Sequence, residues 1–139
     1  MNVKATVGDT IILEEIHPRT MALRFHKLEK DPEASARQAQ EFEKMIVDLY
    51  AGDPGVIFDY LIDGSRVSNS TSISPKARKF YRRVYSMPQT GRIAYVGLGK
   101  WLQLMTGIFS HVVNRKYPTQ WFNNDADALA WLKEQQDLS

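Results

Sequence analysis

The chain contains no cysteine, so disulfides, thiolate zinc centres and cysteine nucleophiles are all excluded, in keeping with a reducing compartment. It also lacks any run of about 20 apolar residues, the length that crosses a bilayer. The opening Met1–Ile16 carries charge before any apolar stretch of signal-peptide length, and the expectation is a soluble, cytoplasmic protein. Only three histidines occur, His17, His26 and His111, with no His-x-x-x-His spacing among them, so no metal site is expected. Paired carboxylate spacing and a nucleophile elbow are missing too, which leaves no catalytic residue to name and no cofactor. Of all the readings weighed, an enzyme is the one the sequence supports least. Asp59 and Asp63, near the end of an apolar run, are its best acids and read as easily as loop caps.

The remaining absence is local. Formal net charge is only +2, but residues 1–70 hold 8 Lys/Arg against 12 Asp/Glu, whereas residues 71–139 hold 10 against 4. Lys76 to Lys116 contains nine basic residues and no acid. Such a stretch points to an anionic partner for the second half of the chain.

What is present reads as a single α/β domain over residues 1–139, large enough to bury about two thirds of its unfolded surface. Thr10–Ile16 and Thr20–Leu28 read as strands, the second because Met21, Leu23 and Phe25 alternate with Ala22, Arg24 and His26, and His17-Pro18-Arg19 turns between them. Ala39, Phe42, Met45, Ile46 and Leu49 set a helical stripe over 33–50, which Gly52-Asp53-Pro54-Gly55 stops. Val56–Ile62 is rich in β-formers and reads as a central strand. After the polar loop Asp63–Ser74, Ser74-Pro75 predicts a capped helix start, with Ala77, Phe80, Tyr81 and Val84 inward and Lys76, Arg78, Lys79, Arg82 and Arg83 outward. Arg92–Gly97 reads as a strand, Leu98–Val113 as a helix, Gln120–Phe122 as a short strand, and Asn123 or Asn124 as the cap of a last helix. The order ββαβαβαβα implies a mixed, mainly parallel sheet of four to five strands with covering helices.

The basic helix, the strand Arg92-Ile93-Ala94-Tyr95-Val96-Gly97, a tryptophan-bearing apolar helix and the ending Phe122-Asn123-Asn124-Asp125-Ala126-Asp127-Ala128-Leu129-Ala130-Trp131-Leu132 resemble the SpoIIAA-like proteins of the STAS and Sec14-like group. The resemblance runs from about Thr10 to Gln136, and its specific features lie in the last third of the chain. It implies a mixed sheet with helices and relatives that work mostly as binding or regulatory modules. STAS domains proper include anti-anti-sigma factors switched by phosphorylation of a serine in an Asp-Ser-x-Gly-like context. Here Ser68-Asn69-Ser70 lacks the aspartate and the glycine.

Three sets of residues carry functional expectations. The helix over 98–113 has an apolar arc wider than one sheet face covers, so Trp101, Leu102, Met105 and Phe109 are candidates to line an apolar or lipid ligand, against the plainer reading of core or homodimer packing. Arg78, Lys79, Arg82, Arg83, Arg115 and Lys116 are candidates to contact an anion or an anionic membrane surface. Ser70 and Ser72 are the better phosphoacceptors of a loop that reads more simply as solvated, Ser74 being engaged as a cap. Gly97-Leu98-Gly99 opens a helix after a strand, yet Leu102 stands where a dinucleotide fingerprint needs its third glycine, and a tight turn is the simpler account. Nucleic-acid binding ranks lower, for no helix-turn-helix or RNP-like strand is visible. The expectation is a non-enzymatic STAS-like module for a protein, an apolar ligand or an anionic membrane, with a phosphorylation-controlled partner switch as the alternative.

Overall fold

The computed structural model describes residues 2–67, 73–97, 101 and 116–138. Six strands form one sheet in the order in which they occur: β1 (Asn2–Val7), β2 (Ile11–His17), β3 (Thr20–Phe25), β4 (Phe58–Asp63), β5 (Thr90–Val96) and β6 (Thr119–Phe122). The first three pair antiparallel, and β3 to β6 pair parallel. Helix α1 (Pro32–Gly52) joins β3 to β4, α2 (Pro75–Ser86) joins β4 to β5, and α3 (Asp125–Asp137) follows β6.

This α/β architecture matches the class expected, with one strand more than the four to five anticipated. The addition is β1, whose residues are mostly exposed, with only Val7 buried. It carries almost no hydrophobic signal because it is an edge strand, held by its ladder to β2. A register shift between Val3 and Ala5 leaves Lys4 at the irregularity, a charge and a bulge of the kind that keeps free edges from pairing with other chains. The second expected strand stops at Phe25 rather than Leu28, since His26 to Lys30 already lead towards the cap of α1.

Alternation along the strands sorts the side chains into two layers. Met21, Leu23, Phe25, Phe58, Tyr60, Ile62, Ile93 and Tyr95 meet Ala39, Phe42, Ile46, Ala77, Tyr81 and Val84 of α1 and α2 in the main core. Leu61, Ala94 and Val96 on the opposite face meet Ala128 and Leu132 of α3 in a smaller one. Helices α1 and α2 therefore share one face of the sheet and α3 covers the other.

Local chemistry places the helix ends. Asp31 accepts a hydrogen bond from the Ala34 amide at 3.0 Å ahead of Pro32, and Ser74 accepts one from the Ala77 amide at 3.2 Å ahead of Pro75, each a capped start with proline in the first turn. Asn124 caps α3 by accepting from the Asp127 amide at 2.8 Å. Inside the main core, the Tyr50 hydroxyl lies 2.6 Å from both the Tyr60 hydroxyl and Thr90 Oγ1, and Thr90 donates to the Val84 carbonyl at 2.7 Å. That chain ties α1, β4, β5 and the end of α2 to one another. Burial and the neighbouring Tyr50 push the Tyr60 hydroxyl well above its ordinary pKa, so it remains a neutral donor and acceptor.

In α3 the buried residues are Ala128 and Leu132. Ala126 and Ala130 are exposed, and Leu129 is only half-buried. Helical spacing of four from Ala128 to Leu132 sets the contact line, and the remaining alanines fall off it.

Candidate functional site

Carboxylates come first, because buried acids are where catalysis would show. Arg24 on β3 points to the α3 face and binds three of them: Nε donates to Glu14 Oε1 at 2.8 Å, and Nη1 donates to Asp63 Oδ2 at 2.9 Å and to Asp125 Oδ2 at 3.0 Å. Burial opposes the charge of Arg24, but these partners more than offset it and raise its pKa. Asp63 also accepts from the Ser65 amide at 2.9 Å, closing the turn after β4. Asp59, four residues earlier on the same face, accepts from the Arg92 amide at 2.8 Å, from Arg92 Nη1 at 3.4 Å and from Gln136 Nε2 at 3.1 Å. Gln136 Nε2 lies 2.7 Å from Thr20 Oγ1 as well.

Both candidate acids are thus structural ties. Asp63 and Asp125 secure one end of α3 through Arg24, and Asp59 secures the other through Gln136. Among the described residues no cluster of His, Cys, Asp or Glu could hold a metal ion. The strand order of the sheet never reverses, and the crossover helices α1 and α2 lie on a single face.

Asp63 carries a pH dependence. Burial alone would raise its pKa, but hydrogen bonds from Ser65 and Arg24 hold it below the ordinary 3.8. A depressed folded value stabilises the protein above the unfolded pKa and loses that effect as pH falls through the folded one. Thermal unfolding of the wild type should therefore fall off below about pH 4 more steeply than that of Asp63→Asn; parallel curves would refute the assignment.

The candidate binding surface lies on the other face, on α2. Lys76, Lys79 and Arg83 are exposed, and Arg78 and Arg82 are half-buried, each with a buried Nε that has no hydrogen-bond partner among the described residues. Arg83 grips Glu43 of α1 through two bonds, Nε to Oε2 at 2.6 Å and Nη2 to Oε1 at 2.8 Å, and its guanidinium sits 4.7 Å from the centre of the Phe80 ring. The carboxylate raises the pKa of Arg83. Lys76 and Lys79 form no ion pair among the described residues. Between the first turns of α1 and α2 runs a groove of about 530 Å³ that includes Ala36, Arg37, Gln40, Pro75, Lys76 and Phe80 in its lining.

The basic residues foreseen as one set are not all brought together. Arg92 belongs to the α3 face with Asp59, and Lys116 gathers beside it, the two cations 5.6 and 5.5 Å from the centre of the Tyr117 ring. Arg115 lies outside the described residues, as do Leu102, Met105 and Phe109 of the apolar-ligand set and Ser70 and Ser72 of the serine loop. Trp101, the described member of the ligand set, is 1% exposed, with its ring centroid 5.2 Å from that of Phe25. It is core and offers no open wall to a ligand. The groove itself went unforeseen, since Arg37 and Phe80 are far apart in sequence and only helix packing puts them on opposite banks.

A family model described as Domain of unknown function (DUF7793) matches residues 33–136, three quarters of the chain. The chain belongs to this family. No curated protein and no solved structure matches it. The DUF7793 match takes in α1, α2, the groove between them and α3, and leaves β1 to β3 outside. No described helix is long and apolar enough to cross a membrane.

Proposed function

We propose that this protein is a non-enzymatic, STAS-like binding module of the cytoplasm that holds an acidic partner protein on the basic face of α2. The observation that carries the reading is the contrast between the two faces. Carboxylates beneath α3 are engaged by arginine and backbone donors, whereas Lys76 and Lys79 project from an acid-free stretch with no ion pair among the described residues. Cations left in this condition raise local anion concentration and steer association.

A protein fits better than a flat anionic bilayer. Helices α1 and α2 lie side by side on one sheet face, and the outer surface of α1 exposes Glu41 and Asp48. A bilayer pressed on both helices would meet those acids, while a narrow acidic segment along α2 would avoid them. The test compares Lys76→Glu/Lys79→Glu with the wild type for binding to poly-glutamate and to phosphatidylserine vesicles. Salt-sensitive capture of poly-glutamate by the wild type, weakened about tenfold in the double variant, is expected, with no vesicle flotation. Flotation that the same charge reversals abolish would replace the protein partner by a membrane, and equal capture of both proteins would remove the α2 surface from consideration.

A further inference from the structure

We infer that the groove between the first turns of α1 and α2 is the seat of one large apolar side chain belonging to an acidic partner segment. The inference rests on the α2 reading above and sharpens it from a charged surface to a shaped one. The cleft of about 530 Å³ lies within the range of about 300–1,000 Å³ typical of small binding sites. Its apolar surface comes from Pro32 and Ala36 on α1 and from Pro75 and Phe80 on α2. Phe80 is only half-buried although it packs against the main core, so part of its ring remains available to a guest.

Charge selects the guest. Arg37 stands on the α1 bank and Lys76 on the α2 bank, both exposed, with Glu33 the one acid among the lining residues. Lys79 continues the basic line one turn along α2. At the next turn the Glu43–Arg83 pair bridges the helices beside Phe80, so the acid nearest the far end of the groove is already neutralised by its partner. An occupant with one large apolar residue among aspartates and glutamates satisfies both the cleft and the rim. A basic or purely apolar one leaves Arg37 and Lys76 unmatched. This arrangement is a short version of groove recognition, in which one anchor side chain supplies most of the affinity and flanking charges set orientation.

The experiment uses two synthetic peptides, a run of glutamates around one central tryptophan and the same run around a central serine, titrated against the full chain by fluorescence anisotropy. The tryptophan peptide is expected to bind about tenfold more tightly, the increment that burying a large apolar side chain supplies. Gln40→Trp, an exposed residue of the α1 bank, should fill the cleft and erase that preference, so that the two peptides bind alike. Lys79→Glu, beyond the cleft, should weaken both peptides and preserve their ratio. Equal affinity for the two peptides, or a preference that survives Gln40→Trp, overturns the groove as the seat even where salt-sensitive binding to α2 persists. Failure of both peptides to bind at about 1 mM, the weak end of specific recognition, sinks the groove and the α2 reading together.

Discussion

Trp101→Ala is expected to lower the free energy of unfolding by about 3–5 kcal/mol, the range for removing a fully buried aromatic ring. The magnitude follows from the tightness of the seat. A Cβ at Gly64 would be driven into the ring-junction atoms Cδ2 and Cε2 of the indole, and one at Gly97 would lie 2.6 Å from its Cδ1. Two glycines at the ends of β4 and β5 thus leave space that the ring fills, and Gly97 also has φ +141°, a conformation other residues avoid. Gly64→Ala alone should cost about 1–3 kcal/mol by overpacking. The double variant provides the check: with the ring gone the new methyl enters vacated space, so the combined loss should be clearly smaller than the sum of the two. Additive losses measured by urea denaturation would show that Gly64 and Trp101 act independently. Among the described residues the buried indole Nε1 has no hydrogen-bond partner, and the ring packs against Phe25 with centroids 5.2 Å apart.

Arg24→Met should destabilise the protein by about 3 kcal/mol, the low end of the range for breaking a buried ion pair because water still reaches part of the guanidinium. Glu14 is 6% exposed and Asp63 is buried, so the loss of the arginine strands two carboxylates under α3. Without its arginine partner Asp63 takes up a proton more readily, and the stability lost at neutral pH should partly return as the pH falls towards about 5. Glu14→Gln/Arg24→Met/Asp63→Asn should recover part of the loss at neutral pH, since no charge is then left unpaired. Hydrogen exchange would reveal where the damage falls. Amides of α3 are expected to lose protection first, because its docking rests on Ala128, Leu132 and the polar ties at its two ends. Uniform loss across the sheet would contradict the role given to Arg24.

These expectations bear on function as well. Catalysis draws on acids whose protonation can change at working pH, and Asp63 is held below its ordinary value by its donors. Asp59 and Asp63 help to tie α3 to the sheet, whereas Lys76 and Lys79 on α2 form no ion pair among the described residues.

Much of the fold was legible locally. The helix from Pro32 and the helix from Pro75 are announced by a capping residue and a proline, and the 3.6-residue spacing of Phe42, Met45, Ile46 and Leu49 carries the first of them to its glycine stop. Strands β2 to β5 were legible because they are apolar on the side that meets the main core. Strand β1 was not, since an edge strand is defined by its backbone partner rather than by burial of its own side chains. Asp59 and Asp63 were visible as the best acid candidates near the end of a central strand, but their roles depend on Arg92, Gln136, Arg24 and Ser65, which no spacing rule links to them.

Amino-acid order alone determined the class of the fold, the caps, the acid-free stretch from Lys76 to Lys116 and the exclusion of cysteine chemistry, because each depends on near neighbours or on composition. Only tertiary structure decided that Arg92 joins Asp59 beneath α3 while Lys76 and Lys79 remain free of ion pairs among the described residues, and that Arg37 and Phe80 face one another across a groove. The reason is physical: pairing and concavity arise from contacts between segments tens of residues apart, set by how helices and strands pack rather than by the residues adjoining them in the chain.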